Sequence, residues 1–361
     1  MYTGPNIVRD GLIFGYDADE NSRFYKGEPT TNLAYLNGNI NFTNADLGAS
    51  VIIRSTVIPN QVYRITSVEA VGNGYGRFNF LTPLVDGATY SVSYKWKLIS
   101  GGPTFVPNDW ADTTLLSNTT IDKGSYMYTT CTGTRVSHQS PYHFLDFTIS
   151  DNTVVEFWDF QLEENTHSTP FTTTSRSTTE SLYEFNKTPI DMSPFTFDSN
   201  STPYYDGSFY TINSNWGSGI DPTTTHFTVE AIVKSNVIST NKMWLDTYGQ
   251  GTNQRFYSAM NTSGHLGMGI QASTWSQTGS PDTEYHHQII TMNGTQAKAY
   301  NNTDLIVTKN YTSYTLSNDI GFGGRSGYPW NGYIPIAKIY DRVLSEDEIL
   351  QNYNAYRERF S

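Results

Sequence analysis

The acidic residues of VVEFWDFQLEE, Glu156, Asp159 and Glu163, are the first whose type and spacing invite a chemical reading. Cleaving a glycosidic bond takes two carboxylates on one side of a cleft, about 5–10 Å apart. On a strand, a spacing of two keeps side chains on one face. Glu156 and Asp159 are separated by three positions, so an unbroken strand sends them to opposite faces. A rim of solvated carboxylates is the better reading, and no catalytic residue is assigned. His286 and His287 are adjacent; on a strand they too point to opposite faces and do not readily chelate one ion. Neither a Ser/His/Asp order nor a phosphate-binding loop stands out. Calcium, a hard cation, wants several oxygen ligands. Asp17, Asp19, Glu20 and Asn21 form one cluster that offers them, and Asp246 with the loop oxygens around Tyr248–Asn253 forms another. Surface acidity is the simpler account of both.

Tryptophans supply the remaining hint of binding. A sugar ring lays its apolar face on an exposed aromatic ring while polar neighbours bond its hydroxyls. Trp216 in INSNWGSG, Trp275 in ASTWSQTG and Trp330 in GYPWNG sit in polar, glycine-rich contexts that read as loops, and Trp110 in PNDW is similar. Each is a candidate for glycan stacking. Each is also what a subunit contact or the open end of a sandwich uses, since Trp and Tyr are favoured there. Protein contact is the preferred of the two.

These residues need a scaffold, and composition indicates which kind. Tyr, Phe, Thr, Asn, Ser and Gly are abundant in the 361 residues. Aromatic and β-branched residues favour strands while Asn, Gly and Ser favour turns, so an all-β chain with room for two domains is expected. The formal charge of −12 argues against nucleic-acid partners, whose phosphates call for Lys and Arg. It describes a solvated, self-repelling surface instead. No apolar run approaches the about 18 residues of a membrane-spanning helix, and MYTGPNIVRDG lacks the pattern of a secretion signal. Cys131 is the single cysteine; it forms no intrachain disulfide and reads as a small buried hydrophobe.

Alternating or apolar runs bounded by Gly, Pro and Asn mark strands at Ser50–Ile58, Gln61–Glu69, Arg77–Phe80, Thr89–Leu98, Ser125–Cys131, His143–Ile149 and Val154–Glu163. On the last, Val154, Glu156, Trp158, Phe160 and Leu162 share one face, with Val155, Phe157, Asp159, Gln161 and Glu163 on the other. In THFTVEAIVK, Phe227, Val229, Ala231 and Val233 lie opposite Thr228, Glu230, Ile232 and Lys234. Asn293-Gly294 signals a hairpin with a type I′ turn. After an apolar strand from Tyr333 to Tyr340, Ser345 is a good N-cap with Glu348 three residues on to close a capping box. Ile349, Tyr353 and Tyr356 then give the helix one face to bury. Arg357 and Arg359 follow in its last turn, where the macrodipole favours cations.

The stretch NGYIPIAKIYDRVLSEDEILQNYNAY resembles the C-terminal signature of laminin-G/concanavalin-like sandwiches, most of all the subset found in structural proteins of tailed bacteriophages. Gly11–Ala18 resembles the opening strand of the same domains, yet the usual next step arrives only at Tyr204-Tyr205-Asp206-Gly207. An insertion is implied. Phe160-Gln161-Leu162-Glu163 followed by Thr169-Pro170-Phe171 resembles the closing strand of carbohydrate-binding-module-like jelly rolls. The expected organisation is a discontinuous sandwich over 1–30 and 177–361 with a jelly roll inserted over 31–176. The fold class is therefore all-β: two antiparallel β-sandwiches and one short C-terminal helix. The resemblance further implies a non-enzymatic virion-surface protein, a capsid decoration, head-fibre or tail-fibre component made in the host cytoplasm. It would be a homo-oligomer contacting other virion proteins, with possible host-surface glycans and possible calcium. A receptor-binding adhesin is the alternative. A glycoside hydrolase ranks third, because concanavalin-like sandwiches include such enzymes.

Overall fold

The computed structural model describes residues 6–18, 24–35, 41–44, 52–58, 62–68, 74–80, 82–101, 105–110, 113–136, 143–149, 152–208, 210–237, 242–247, 256–260, 266–270, 273–276, 283–316, 318–325 and 327–360. The chain is all-β, with several antiparallel sheets and one C-terminal helix. It forms two compact units: 1–27 with 178–198 and 202–361, and 28–177 with 199–201.

In the first unit the larger sheet runs Thr196–Phe197, Pro203–Asp206, Asn331–Tyr340, Phe227–Ser235, His286–Met292, Gln296–Asn301, Asp304–Asn310, and Leu12–Asp17 also pairs with Asn331–Tyr340. A second sheet orders Ile212–Asn213, Gly321–Phe322, Lys242–Asp246, Phe256–Met260, Leu266–Ile270 and Ser273–Ser276. Phe227, Val229, Ala231 and Val233 enter the main core with Trp244, Phe322, Ala337 and Ile339. The other face of the same strand is buried as well, because Ile232 and Ile336 pack under Ala355 and Tyr356 of the helix Glu346–Tyr356. A strand covered on both faces reads as a near-continuous apolar run, and its few polar residues are then forced into burial.

The helix begins as its sequence indicates. Glu348 N–H donates to Ser345 Oγ at 3.3 Å and Ser345 N–H to Glu348 Oε2 at 2.9 Å, a complete capping box. Its buried residues are Ile349, Asn352, Ala355 and Tyr356, with Tyr353 only half-buried. Arg359 does not serve the dipole; it forks onto Asp17 at 2.7 and 2.9 Å. The 293–294 turn also differs from expectation. Gly294 has φ +95° while neither Asn293 nor Thr295 has positive φ, the pattern of a type II′ turn and not I′.

The second unit places a sheet Ile52–Ile58, Val62–Val68, Val154–Glu163, Thr89–Ser100, Met127–Arg135, Thr113–Asp122 beside one of Asn41–Asn44, Gly74–Phe80, His143–Ile149 and Phe105–Trp110. Its core is aromatic: Phe78 lies 5.0 Å from Phe157 and 4.7 Å from Phe160, between ring centroids. Cys131 is buried there, and desolvation pushes its thiol up to about 12. The strand Val154–Glu163 is not unbroken. Trp158 pairs with Lys95 but Gln161 with Ser93, one residue too many on its side, and Asp159 takes φ +52°. Such a β-bulge reverses the alternation. Val155 and Phe157 face the core before it, Phe160 and Leu162 after it, so the two-face assignment made from the sequence fails beyond Trp158. The strand Thr113–Asp122, TTLLSNTTID, was not expected; its polar threonines hide it from a search for apolar runs.

Candidate functional site

The outer face of the larger sheet carries a buried polar network under the helix. Glu230, Lys338 and His287 are each at most 2% exposed. Lys338 Nζ and His287 Nε2 both reach Glu230 Oε1 at 2.8 Å, and Asn352 Nδ2 donates to Oε2 at 2.7 Å. Asn352 also donates to the Tyr340 hydroxyl at 3.0 Å, and that hydroxyl donates to the Val8 carbonyl at 3.2 Å. Desolvation pushes Glu230 up, but Lys338 and His287 together outweigh it and hold the carboxyl at about 2. The Lys338 ammonium, drawn down by burial and supported by Glu230, sits 4.5 Å from the Tyr356 ring centroid, a cation–π contact.

A cleft of about 500 Å³ adjoins this network. Aromatic walls come from two elements: Tyr285 precedes the strand His286–Met292, while Tyr353 and Tyr356 belong to the helix and Phe360 follows it. Tyr285 and Phe360 pack at 5.0 Å between centroids, and Tyr353 lies nearly parallel to His287 at 6.0 Å. Polar groups share the lining. His287 Nε2 is committed to Glu230, whereas its Nδ1 is buried from solvent and has no hydrogen-bond partner among the described residues. Asn302 accepts the His287 backbone N–H through Oδ1 at 3.1 Å, and Arg357 stands exposed beside it in the lining. Apolar rings with polar groups beside them fit a ligand that has both apolar faces and hydroxyls.

The sequence candidates are distributed differently. Trp330 is fully buried in the sandwich core, its indole N–H without a partner among the described residues, and so offers no face to a ligand. Trp216 is half-buried against the same core, edge-on to Phe227 at 5.3 Å. Trp275 falls within the strand Ser273–Ser276 and Trp110 ends the strand Phe105–Trp110, so neither stands in a loop. Polar flanks misled at Trp275 and Trp110, because short strands here are bounded by just such residues, whereas Trp216 and Trp330 do lie outside strands. The aromatic groups that do line the cleft, Tyr285, Tyr353 and Phe360, were legible only as a helix face and a strand end.

At Asp17, the one described residue of the first calcium cluster, each carboxylate oxygen accepts a hydrogen bond from the Arg359 guanidinium. Asp19, Glu20 and Asn21 lie outside the described residues, as does the loop 248–255 beside Asp246. Asp246 itself is buried at the end of Lys242–Asp246. Among the described residues no group of three or more His, Cys, Asp or Glu side chains is placed to hold a metal.

The carboxylates of the inserted stretch are engaged. Glu156 pairs with Arg64, and Asp159 with Lys95 at 2.7 Å. Glu163 accepts from the Thr169 N–H at 2.7 Å and from the hydroxyls of Thr169 and Thr30 at 2.8 and 2.7 Å. Gln161 is equally committed, donating to Thr169 Oγ1 at 2.7 Å and accepting the Thr172 N–H at 2.7 Å. The Gln and Glu of this motif therefore staple the returning segment Thr169–Thr172 to the strand.

An all-β protein with a helix-covered sandwich and an aromatic, partly polar cleft is thus defined. Residues 206–350 match the model of the concanavalin A-like lectin/glucanases superfamily and have that fold. No curated protein matches the chain. Among solved structures, it is similar to the carbohydrate-binding module of a Ruminococcus gnavus sialidase bound to α2,3 sialyllactose, at 19% identity and TM-score 0.31, over 39% of this chain and 95% of that one. It is similar to the binding domain of botulinum neurotoxin serotype D at 15% identity and TM-score 0.36, over 49% of each chain. Domain 4 of an extracellular arabinanase of Geobacillus stearothermophilus, in complex with arabinotriose, is similar at 14% identity and TM-score 0.32, over 42% of this chain and 80% of that one.

Proposed function

We propose that this chain is a non-catalytic glycan-binding protein carried on the outer surface of a tailed-phage particle, with the helix-side cleft as its sugar site. The observation that carries the reading is the cleft's lining. Tyr285, Tyr353 and Phe360 supply ring surface, while Asn302 and Arg357 supply polar groups in the same lining. The volume lies in the roughly 300–1,000 Å³ range of small-ligand sites. A binding and not a cleaving role is supported by Glu156, Asp159 and Glu163, each held in an ion pair or a hydrogen-bond staple. The virion setting rests on the resemblance of the C-terminal signature to phage structural proteins, and brings with it homo-oligomerisation and contact with other virion proteins.

The test is a glycan array on the purified chain, run beside Tyr353→Ala and Tyr285→Ala. Binding that both variants lose supports the site; binding that both keep moves recognition elsewhere. A silent array together with a monodisperse oligomer in light scattering would overturn the glycan reading. It would favour a purely structural assembly role.

A further inference from the structure

A second cleft, of about 270 Å³, lies in the same unit against the strand Leu12–Asp17. Phe24 and Phe185 form one wall, their ring centroids 4.8 Å apart, and Ile13, 37% exposed, forms another. The position of Phe185 depends on Gly15. Phe185 N–H donates to the Gly15 carbonyl at 2.8 Å, and a Cβ on Gly15 would stand 2.9 Å from the Phe185 ring. The polar side is held by Glu184, which is 8% exposed. Asn186 Nδ2 donates to its Oε2 at 3.1 Å, whereas Oε1 has no hydrogen-bond partner among the described residues. Burial pushes the carboxyl up from its usual range, a sign of a poorly hydrated acceptor. Arg9 completes the lining, exposed and without an ion pair among the described residues.

We propose that this cleft is a separate subsite for a single 2-acetamido sugar residue. It depends on the glycan reading above only for the chemical class of the ligand; its residues are its own. An acetamido group carries an N–H donor, a carbonyl acceptor and a methyl group. Glu184 Oε1 accepts the N–H, the Arg9 guanidinium donates to the carbonyl, and Ile13 with the two phenylalanine rings covers the methyl and the apolar sugar face. A hexose with hydroxyls alone leaves the apolar wall unfilled. An acidic sugar sets its carboxylate against Glu184 in a poorly hydrated site, where like charges repel strongly.

The full chain is titrated with N-acetylglucosamine and with glucose, followed by NMR, alongside Glu184→Leu, Arg9→Gln and Tyr353→Ala. Binding of N-acetylglucosamine, unaffected by Tyr353→Ala and weakened about tenfold or more by Glu184→Leu, is the expected result. Arg9→Gln changes an exposed residue and leaves folding untouched, so its weaker binding stands even where Glu184→Leu misfolds. Glucose binding as tight as N-acetylglucosamine, or N-acetylglucosamine affinity unchanged by Arg9→Gln, overturns the proposal. Array ligands that are lost with Tyr353→Ala would in that case leave the first cleft and the glycan reading standing.

Discussion

Glu230 and Lys338 decide the fate of the sheet face they occupy. Neither side chain reaches solvent, and each is the other's charge partner at 2.8 Å. Removing one partner leaves a buried ion uncompensated, at a cost of about 3–5 kcal/mol, whereas replacing both by neutral groups of similar volume is far milder. Lys338→Met is therefore expected to lower the urea midpoint steeply, and the double variant Glu230→Gln/Lys338→Met to recover most of the loss. A double variant no more stable than Lys338→Met would show that the two charges are not coupled. At the cleft, His287→Phe fills the ring's volume but removes both nitrogens. It should destabilise by about 1–3 kcal/mol, because Glu230 loses a hydrogen bond.

The C-terminal helix is an element whose docking is tuned by acid. Arg342 grips Glu348 at 2.6 and 2.8 Å while Ser345 N–H donates to the same carboxylate. These contacts, Arg342 foremost, hold Glu348 at about 2, below the about 4.3 of an unfolded glutamate. A carboxyl whose folded value is depressed stabilises above its unfolded value and ceases to do so as pH falls through the folded one. Glu230, also held at about 2, acts in the same window and with the same sign. Thermal midpoints are thus expected to fall between about pH 4.3 and about pH 2. Arg342→Gln should flatten part of that fall. An unchanged acid profile in Arg342→Gln would remove the Glu348 contribution. Ser345→Ala, which deletes the cap, is expected to cost about 1 kcal/mol at neutral pH.

At the scale of the whole molecule, two cores are built from separate residues, one around Phe227, Trp244 and Phe322, the other around Phe78, Phe157 and Phe160. Units with their own cores unfold independently unless a large apolar interface couples them. Calorimetry is expected to resolve two transitions. Lys338→Met should shift one, and Phe160→Ala, worth about 3–5 kcal/mol as a large-to-small core change, the other. Both variants moving a single transition would show one cooperative unit.

Local rules carried a large share of this structure. The capping box at Ser345 and Glu348, the inward face Phe227–Val233 and the strand His143–Ile149 all follow from spacing, because capping and alternation act within a few residues. The all-β class follows in the same way from composition. What the sequence left open involves residues distant in the chain. The bulge at Asp159 exists because the Val154–Glu163 strand must register against Lys95 and Ser93, and one residue of slippage reverses every face beyond it. Trp330 looks like a loop residue until the structure places it in one buried core with Trp244, Leu245 and Phe322. The cleft needs Tyr285, His287, Tyr353 and Phe360 together, and only the docking of the last helix onto the second face of the sheet brings them there. Burial, partner and pairing register depend on contacts between distant segments, and these the tertiary structure alone decides.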